Sequence, residues 1–266
     1  MPQLAYVIAG SEATGGAGFQ ADLKTFQQLG VYGVGTLTCI VSFDPNDDWG
    51  HRFVPVDPQV IADQIEAATA THDLSVVKVG MLGTPATIET VAAGLRNQSW
   101  THVVVDPVRI CKGQEPGAAL DTDNALREQI LPLATVVTPN LFETRTLAGV
   151  EEITDVEDLI AAAKRIQAHG PQAVVAKGGV ELPGPDAVDV LVEGDEVTVF
   201  SEPKIGEERV SGAGCTLAAA ITAELAKGAS VSDAVRVAKA MVTAGIRERV
   251  AARTPFDTVW QGAYRP

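Results

Sequence analysis

Apolar positions along this chain follow two alternating patterns. Short continuous runs at residues 4–9, 76–79, 103–105, 134–137 and 173–176 read as strands buried on both faces of a sheet. Between them, apolar residues return at helical spacing. Phe19, Leu23, Phe26 and Leu29 mark one amphipathic helix, and residues 60–69, 85–95, 126–130 and about 156–169 read as others. Residues 34–41 are rich in strand formers, and the polar cluster 44–49 reads as a turn. Strands alternating with helices predict parallel βαβ units with helices on both faces: a three-layer α/β/α fold around a mostly parallel sheet. The alternation breaks at 187–192 and 196–200, joined by Glu193-Gly194-Asp195, which predict an antiparallel hairpin at the sheet edge. Two helices, from Cys215 to about 227 and from about 231 to 251, close the chain. No linker or repeat interrupts it, so residues 1–266 are expected to form one domain.

Ligands of such sheets collect at the carboxyl ends of the strands, and the chemistry-bearing residues fall there. Asp106-Pro107-Val108 follows one strand, where an aspartate either caps a turn or holds a metal-bound water. Asn140 and Glu143 follow the next. Their spacing suits a capping box and also places an amide and a carboxylate on one helix face. Lys177-Gly178-Gly179 ends a third strand with a lysine able to meet a phosphate. In Arg209-Val210-Ser211-Gly212-Ala213-Gly214-Cys215-Thr216 a glycine-rich loop opens an Ala/Leu-rich helix, whose unpaired amides and dipole favour an anion. The same dipole is expected to lower the Cys215 thiol pKa and make it a base. Together these residues describe a phosphoryl-transfer site. The glycine-rich turn 10–18 also joins a strand to a helix, but its spacing departs from the dinucleotide fingerprint G-x-G-x-x-G.

The formal charge of −14 in 266 residues argues against a general nucleic-acid or membrane surface. It leaves room for an anionic substrate in a local basic pocket. No basic leader and no apolar run near 20 residues is seen, so a cytoplasmic, membrane-free protein is expected. Three widely spaced cysteines, Cys39, Cys111 and Cys215, fit reduced thiols, and Cys39 lies inside a strand pattern.

The motifs Gly10-Ser11, Gly15-Gly16-Ala17-Gly18-Phe19-Gln20-Ala21-Asp22-Leu23-Lys24-Thr25-Phe26, Gly80-Met81-Leu82-Gly83, Asp106-Pro107-Val108, Thr138-Pro139-Asn140, Lys177-Gly178-Gly179 and Gly212-Ala213-Gly214-Cys215-Thr216 occur in this order across the chain. They resemble the hydroxymethylpyrimidine and pyridoxal kinase branch of the ribokinase-like superfamily. The cysteine in Val108-Arg109-Ile110-Cys111-Lys112-Gly113 resembles the two-cysteine pyridoxal kinases of Gram-positive bacteria.

The resemblance implies an ATP- and magnesium-dependent kinase of the 5′-hydroxymethyl group of a B6 vitamer, commonly a homodimer. It implies that Cys215 takes the hydroxyl proton while Gly212, Ala213 and Gly214 offer amides to the transferring phosphoryl. Asn140 and Glu143, with Asp106, would order magnesium and its waters. Lys177 and Thr216 would serve ATP. Cys111, Lys112 and Gly113 would belong to a lid, Lys112 facing phosphate. Ser11, Gly18, Val41 or Ser42, Gly80 and Met81 would line the ring pocket. A thiol near that pocket could add reversibly to an aldehyde, a role expected of Cys111. Ser211, Glu12 and Arg109 depart from the family pattern, which has histidine, aspartate and an apolar residue there. Two other readings are a hydroxymethylpyrimidine kinase and a non-catalytic binder of vitamer or nucleotide.

Overall fold

The computed structural model describes residues 1–108 and 116–265. Its strands are β1 (Leu4–Glu12), β2 (Tyr32–Asp44), β3 (Gly50–Pro55), β4 (Val76–Val79), β5 (His102–Val105), β6 (Val136–Val137), β7 (Ala173–Lys177), β8 (Asp186–Glu193) and β9 (Glu196–Pro203). Among the described residues they form one sheet in the order β3-β2-β1-β4-β5-β6-β7-β8-β9. Pairing is parallel from β2 to β7 and antiparallel at both margins.

The helices are α1 (Gly18–Gln28), α2 (Pro58–Thr71), α3 (Pro85–Arg96), α4 (Pro116–Ala125), α5 (Leu141–Ala148), α6 (Val156–Gln167), α7 (Ala213–Ala226) and α8 (Val231–Arg247). Strand alternation assigns them to layers. Ala5, Val7 and Ala9 of β1 join Phe26 of α1, Ile221 of α7 and Met241 of α8 in one core. Tyr6 and Ile8 face the other way, with Ile61, Ile88, Leu147 and Leu159 of α2, α3, α5 and α6. This is the expected three-layer α/β/α arrangement. Helix α7 is buried from Thr216 through Leu225, as an Ala/Leu-rich helix with no polar face must be.

Four boundaries differ from the pattern-based expectation. Strand β3 was not foreseen: its side chains are largely exposed, so backbone pairing to β2 leaves no apolar alternation to detect. Residues 126–130 form a wide helical turn after α4. The run 134–137 contributes only Val136–Val137 to the sheet. Helix α8 stops at Arg247 because Val250 pairs with Thr258 through two backbone bonds. No described helix is long and apolar enough to cross a membrane.

Candidate active site

The carboxyl ends of β5, β6 and β7 bring three side chains together. Asp106, directly after β5, is buried and accepts from Lys177 Nζ at 3.2 Å and from Thr138 Oγ1 at 3.4 Å. Burial works to lower the Lys177 pKa, but attraction to Asp106, Glu143 and Cys215 outweighs it and the amine is held protonated. Asn140 caps α5, accepting from Glu143 N at 2.9 Å, while Glu143 Oε2 accepts from Asn140 N at 2.8 Å. The capping box is therefore real, and it fixes the Glu143 carboxylate near Lys177.

Above this group lies the N-terminus of α7. Gly212 caps it with φ 81°, and a Cβ there would fall 1.9 Å from the Gly16 carbonyl oxygen, so only glycine fits. The loop also passes close over the ion pair: a Cβ on Gly214 would sit 3.2 Å from Lys177 Nζ and 3.9 Å from Asp106 Oδ2. Of the three amides expected to receive an anion, that of Ala213 turns back to the Val210 carbonyl at 3.3 Å. The amides of Gly214 and Cys215 have no acceptor among the described residues, as expected of a helix's first turn. A cavity of about 330 Å³ opens here, lined by Asp106, Asn140, Glu143, Lys177 and Gly212 through Cys215.

The Cys215 thiol behaves differently from the dipole-based expectation. Its pKa is raised to about 12: burial is the main cause and Asp106 and Asp22 add to it, outweighing Lys78 and the Gly18 N–H, which pull it down. In the free chain, desolvation and two carboxylates defeat the helix dipole, and the thiol keeps its proton.

Thr216 was expected at ATP but is fully buried, its hydroxyl accepting from Gln261 Nε2 at 3.0 Å. One residue beyond Cys215 the helix has already turned toward the core. The ring-pocket set lies outside the cavity. Val41 packs with Cys39, Phe53 and Met81 in a small cluster, Ser42 pairs with Arg52 in the β2–β3 ladder, and the Gly80 amide donates to the Ile8 carbonyl at 2.9 Å. Ser11 Oγ accepts from Gln20 Nε2 at 2.7 Å. Gly18 joins this set to the site, because its amide donates to the Cys215 sulfur.

Of the two departures flanking the pocket, Glu12 turns onto the glycine loop, accepting from Thr14 N at 2.7 Å, from Thr14 Oγ1 at 2.5 Å and from the amides of Gly16 and Ala17 at 3.3 Å each. Ser211 is tied through its backbone to Asp257 and Val259. Cys111, Lys112 and Arg109 lie outside the described residues. Cys39 is fully buried, as expected.

Pattern reading missed two groups. The cavity wall also carries the apolar Val210, Val242 and Ile246, and a buried pair in which Lys239 Nζ meets Asp189 Oδ2 at 2.7 Å, Asp189 being the cross-strand neighbour of Lys177. Behind Cys215, Lys78 on β4 donates to both oxygens of Asp22 on α1, at 2.7 and 2.8 Å, with neither side chain exposed. The signal for this pair was present. Asp22 interrupts the apolar stripe between Phe19 and Phe26, and Lys78 interrupts a valine strand.

A strand-end carboxylate and lysine beneath a helix N-terminus, in a three-layer fold, have the make-up of a phosphotransferase site. The chain belongs to the phosphomethylpyrimidine kinase family, whose model matches residues 12–259. Within that family it is 47% identical over 244 residues to a pyridoxine kinase of Bacillus subtilis, covering 92% of this chain and 90% of the relative. The structure of B. subtilis pyridoxal kinase in an ADP complex superposes with a TM-score of 0.94 at 44% identity, covering 99% and 98% of the two chains. That of Staphylococcus aureus pyridoxal kinase with AMP-PCP and pyridoxal superposes with a TM-score of 0.91 at 38% identity, covering 99% and 95%.

Proposed function

We propose that this chain is an ATP-dependent kinase that phosphorylates the 5′-hydroxymethyl group of pyridoxal, pyridoxine or pyridoxamine. The observation that carries the reading is the Lys177–Asp106 pair lying beneath the α7 N-terminus, in a chain matched over nearly its whole length by pyridoxal kinases. Residues 1–266 act as one kinase domain, working as a cytoplasmic homodimer as the family resemblance implies.

Lys177 meets the phosphates of ATP as a fixed cation. The free amides of Gly214 and Cys215 receive the charge that develops on the transferring phosphoryl group, which a preorganised helix terminus does without reorganisation. The apolar lining residues Val210, Val242 and Ile246 suit a flat base. Cys215 accepts the hydroxyl proton, for which it must first become a thiolate.

No three metal-ligating side chains converge among the described residues. That suits magnesium, which keeps its waters and binds through one or two carboxylates together with phosphate oxygens. Asp106 and Glu143, hard oxygen donors at the cavity wall, are the residues that would hold it, with Asn140 fixing Glu143. The ion would supply charge neutralisation at the phosphates. On the substrate side, Ser11, Gly18, Val41, Ser42, Gly80 and Met81 are assigned to the ring pocket, and the family resemblance implies substrate-side roles for Cys111 and Lys112.

The test is ATP consumption with magnesium, measured in parallel on pyridoxal, pyridoxine and hydroxymethylpyrimidine. A kcat/KM that is highest for a B6 vitamer is expected. Turnover confined to the pyrimidine would instead make this a hydroxymethylpyrimidine kinase, the reading that the family's own description favours.

A further inference from the structure

Helices α1 and α7 and strand β4 converge behind Cys215, and a buried ion pair sits at that junction. Strand alternation puts Lys78 on the Val76 side of β4, facing α1 and α7 in a core otherwise made of residues such as Val7, Phe26 and Leu217. Asp22 and Lys78 are both fully buried. Two charges in such a place stabilise a fold no better than apolar side chains of similar volume would, so their presence calls for another reason.

The geometry supplies one. A Cβ on Gly80 would come within 3.2 Å of Lys78 Nζ, so the ammonium reaches up to the carboxyl end of its strand, where the site lies. Asp22 follows Gly18 by one helical turn on α1, and Gly18 donates its amide to the Cys215 sulfur. Burial works to lower the Lys78 pKa, but attraction to Asp22, with Cys215 and Asp106 contributing, outweighs it and keeps the ammonium protonated.

We propose that Lys78 is a positioning residue for phosphoryl transfer: Asp22 holds its ammonium behind Cys215, and the pair biases the thiol toward thiolate without touching substrate. The proposal rests on the reading of Cys215 as the proton acceptor. Its two charges act on the thiol in opposite directions, and that separates it from a structural role, in which either loss would simply loosen the site.

The test is peptide-resolved alkylation of Cys215 by iodoacetamide at fixed pH, on the full chain without nucleotide or vitamer. Lys78→Met is expected to slow alkylation about tenfold and Asp22→Asn to speed it by a similar factor, the scale of one charge moved near a thiol. Lys78→Arg should restore most of the rate, and kcat should fall in Lys78→Met with little change in the KM for ATP. Should the single variants unfold, Asp22→Leu/Lys78→Met, which buries no charge, is expected to alkylate more slowly than the parent. Rates that change in the same direction in both single variants, or that do not change, overturn the proposal, as does a parent-like rate in the double variant. Because alkylation needs no substrate, its outcome is separate from that of the kinase assay. A chain that turns over B6 vitamers yet alkylates identically in all variants keeps its function and loses this inference.

Discussion

A thiol becomes a strong base only after losing its proton, and Cys215 sits where losing it is costly. Burial is the main cost, and the negative charge of Asp106 and Asp22 adds to it against the pull of Lys78. Alkylation of Cys215 in the free chain is therefore expected to keep rising past pH 9, because the folded pKa lies well above the ordinary one; a plateau near neutrality would contradict this. The raised pKa contributes stability below pH 9 that is lost as pH climbs toward 12. Cys215→Ala should lower kcat by ~10²-fold or more, the usual scale for a general base or an oxyanion donor, with a folded melting profile. The adjacent Thr216 provides the contrast. With its hydroxyl turned to Gln261, Thr216→Val should cost about 1 kcal/mol in denaturant unfolding and leave the KM for ATP near its parent value.

The glycine loop between β1 and α1 is gathered largely onto one side chain, with Lys24 Nζ donating to the Gly15 carbonyl at 2.7 Å as a further tie. Glu12 accepts two bonds from Thr14 and one each from the amides of Gly16 and Ala17, and Gly16 in turn supports Gly212 at the start of α7. Glu12→Ala leaves those donors without their acceptor. It should lower kcat/KM severalfold through displacement of the α7 terminus and cost about 1–3 kcal/mol in stability, read by parallel kinetics and denaturant melts. The sequence carries elements of this kind unevenly. Continuous valine runs and helical stripes betray the buried strands and amphipathic helices, because burial itself imposes the pattern. Strand β3 is held by its backbone and leaves no trace. The strand-end residues Asp106, Asn140, Glu143 and Lys177 could be found because a parallel sheet sends them all to one edge. The direction Thr216 points, and the reach of Glu12 back onto its own loop, depend on rotation and side-chain length that spacing does not encode. The pair of Asp22 and Lys78 was visible as two breaks in apolar patterns, but only the fold shows that the two breaks meet.

At the scale of the whole molecule, a chain of charge −14 that is to bind a nucleotide would need its cations and amides gathered in one place, and Lys177 and the α7 N-terminus meet at one edge of its sheet. The cavity spans that edge from the Asp106–Lys177 pair to the inner faces of α7 and α8, so a nucleotide bound there would link strands β5 and β7 to the helices of one layer. Ligand binding to the folded state alone stabilises it by about 2.7 kcal/mol at a hundredfold excess over Kd. For a chain of this size that corresponds to a rise in Tm of about 5–10 °C. AMP-PCP alone, without vitamer, is expected to produce such a rise in a thermal melt. Lys177→Ala should lose most of it at the same ligand concentration, because the variant removes the fixed ammonium that would meet the phosphates and leaves the Asp106 carboxylate without its ion-pair partner. Cys215→Ala should keep the shift nearly intact, since its amide remains. A Lys177→Ala chain that shifts as far as the parent would show that the phosphates are held elsewhere, and would remove Lys177 from the site while leaving the fold and family unchanged.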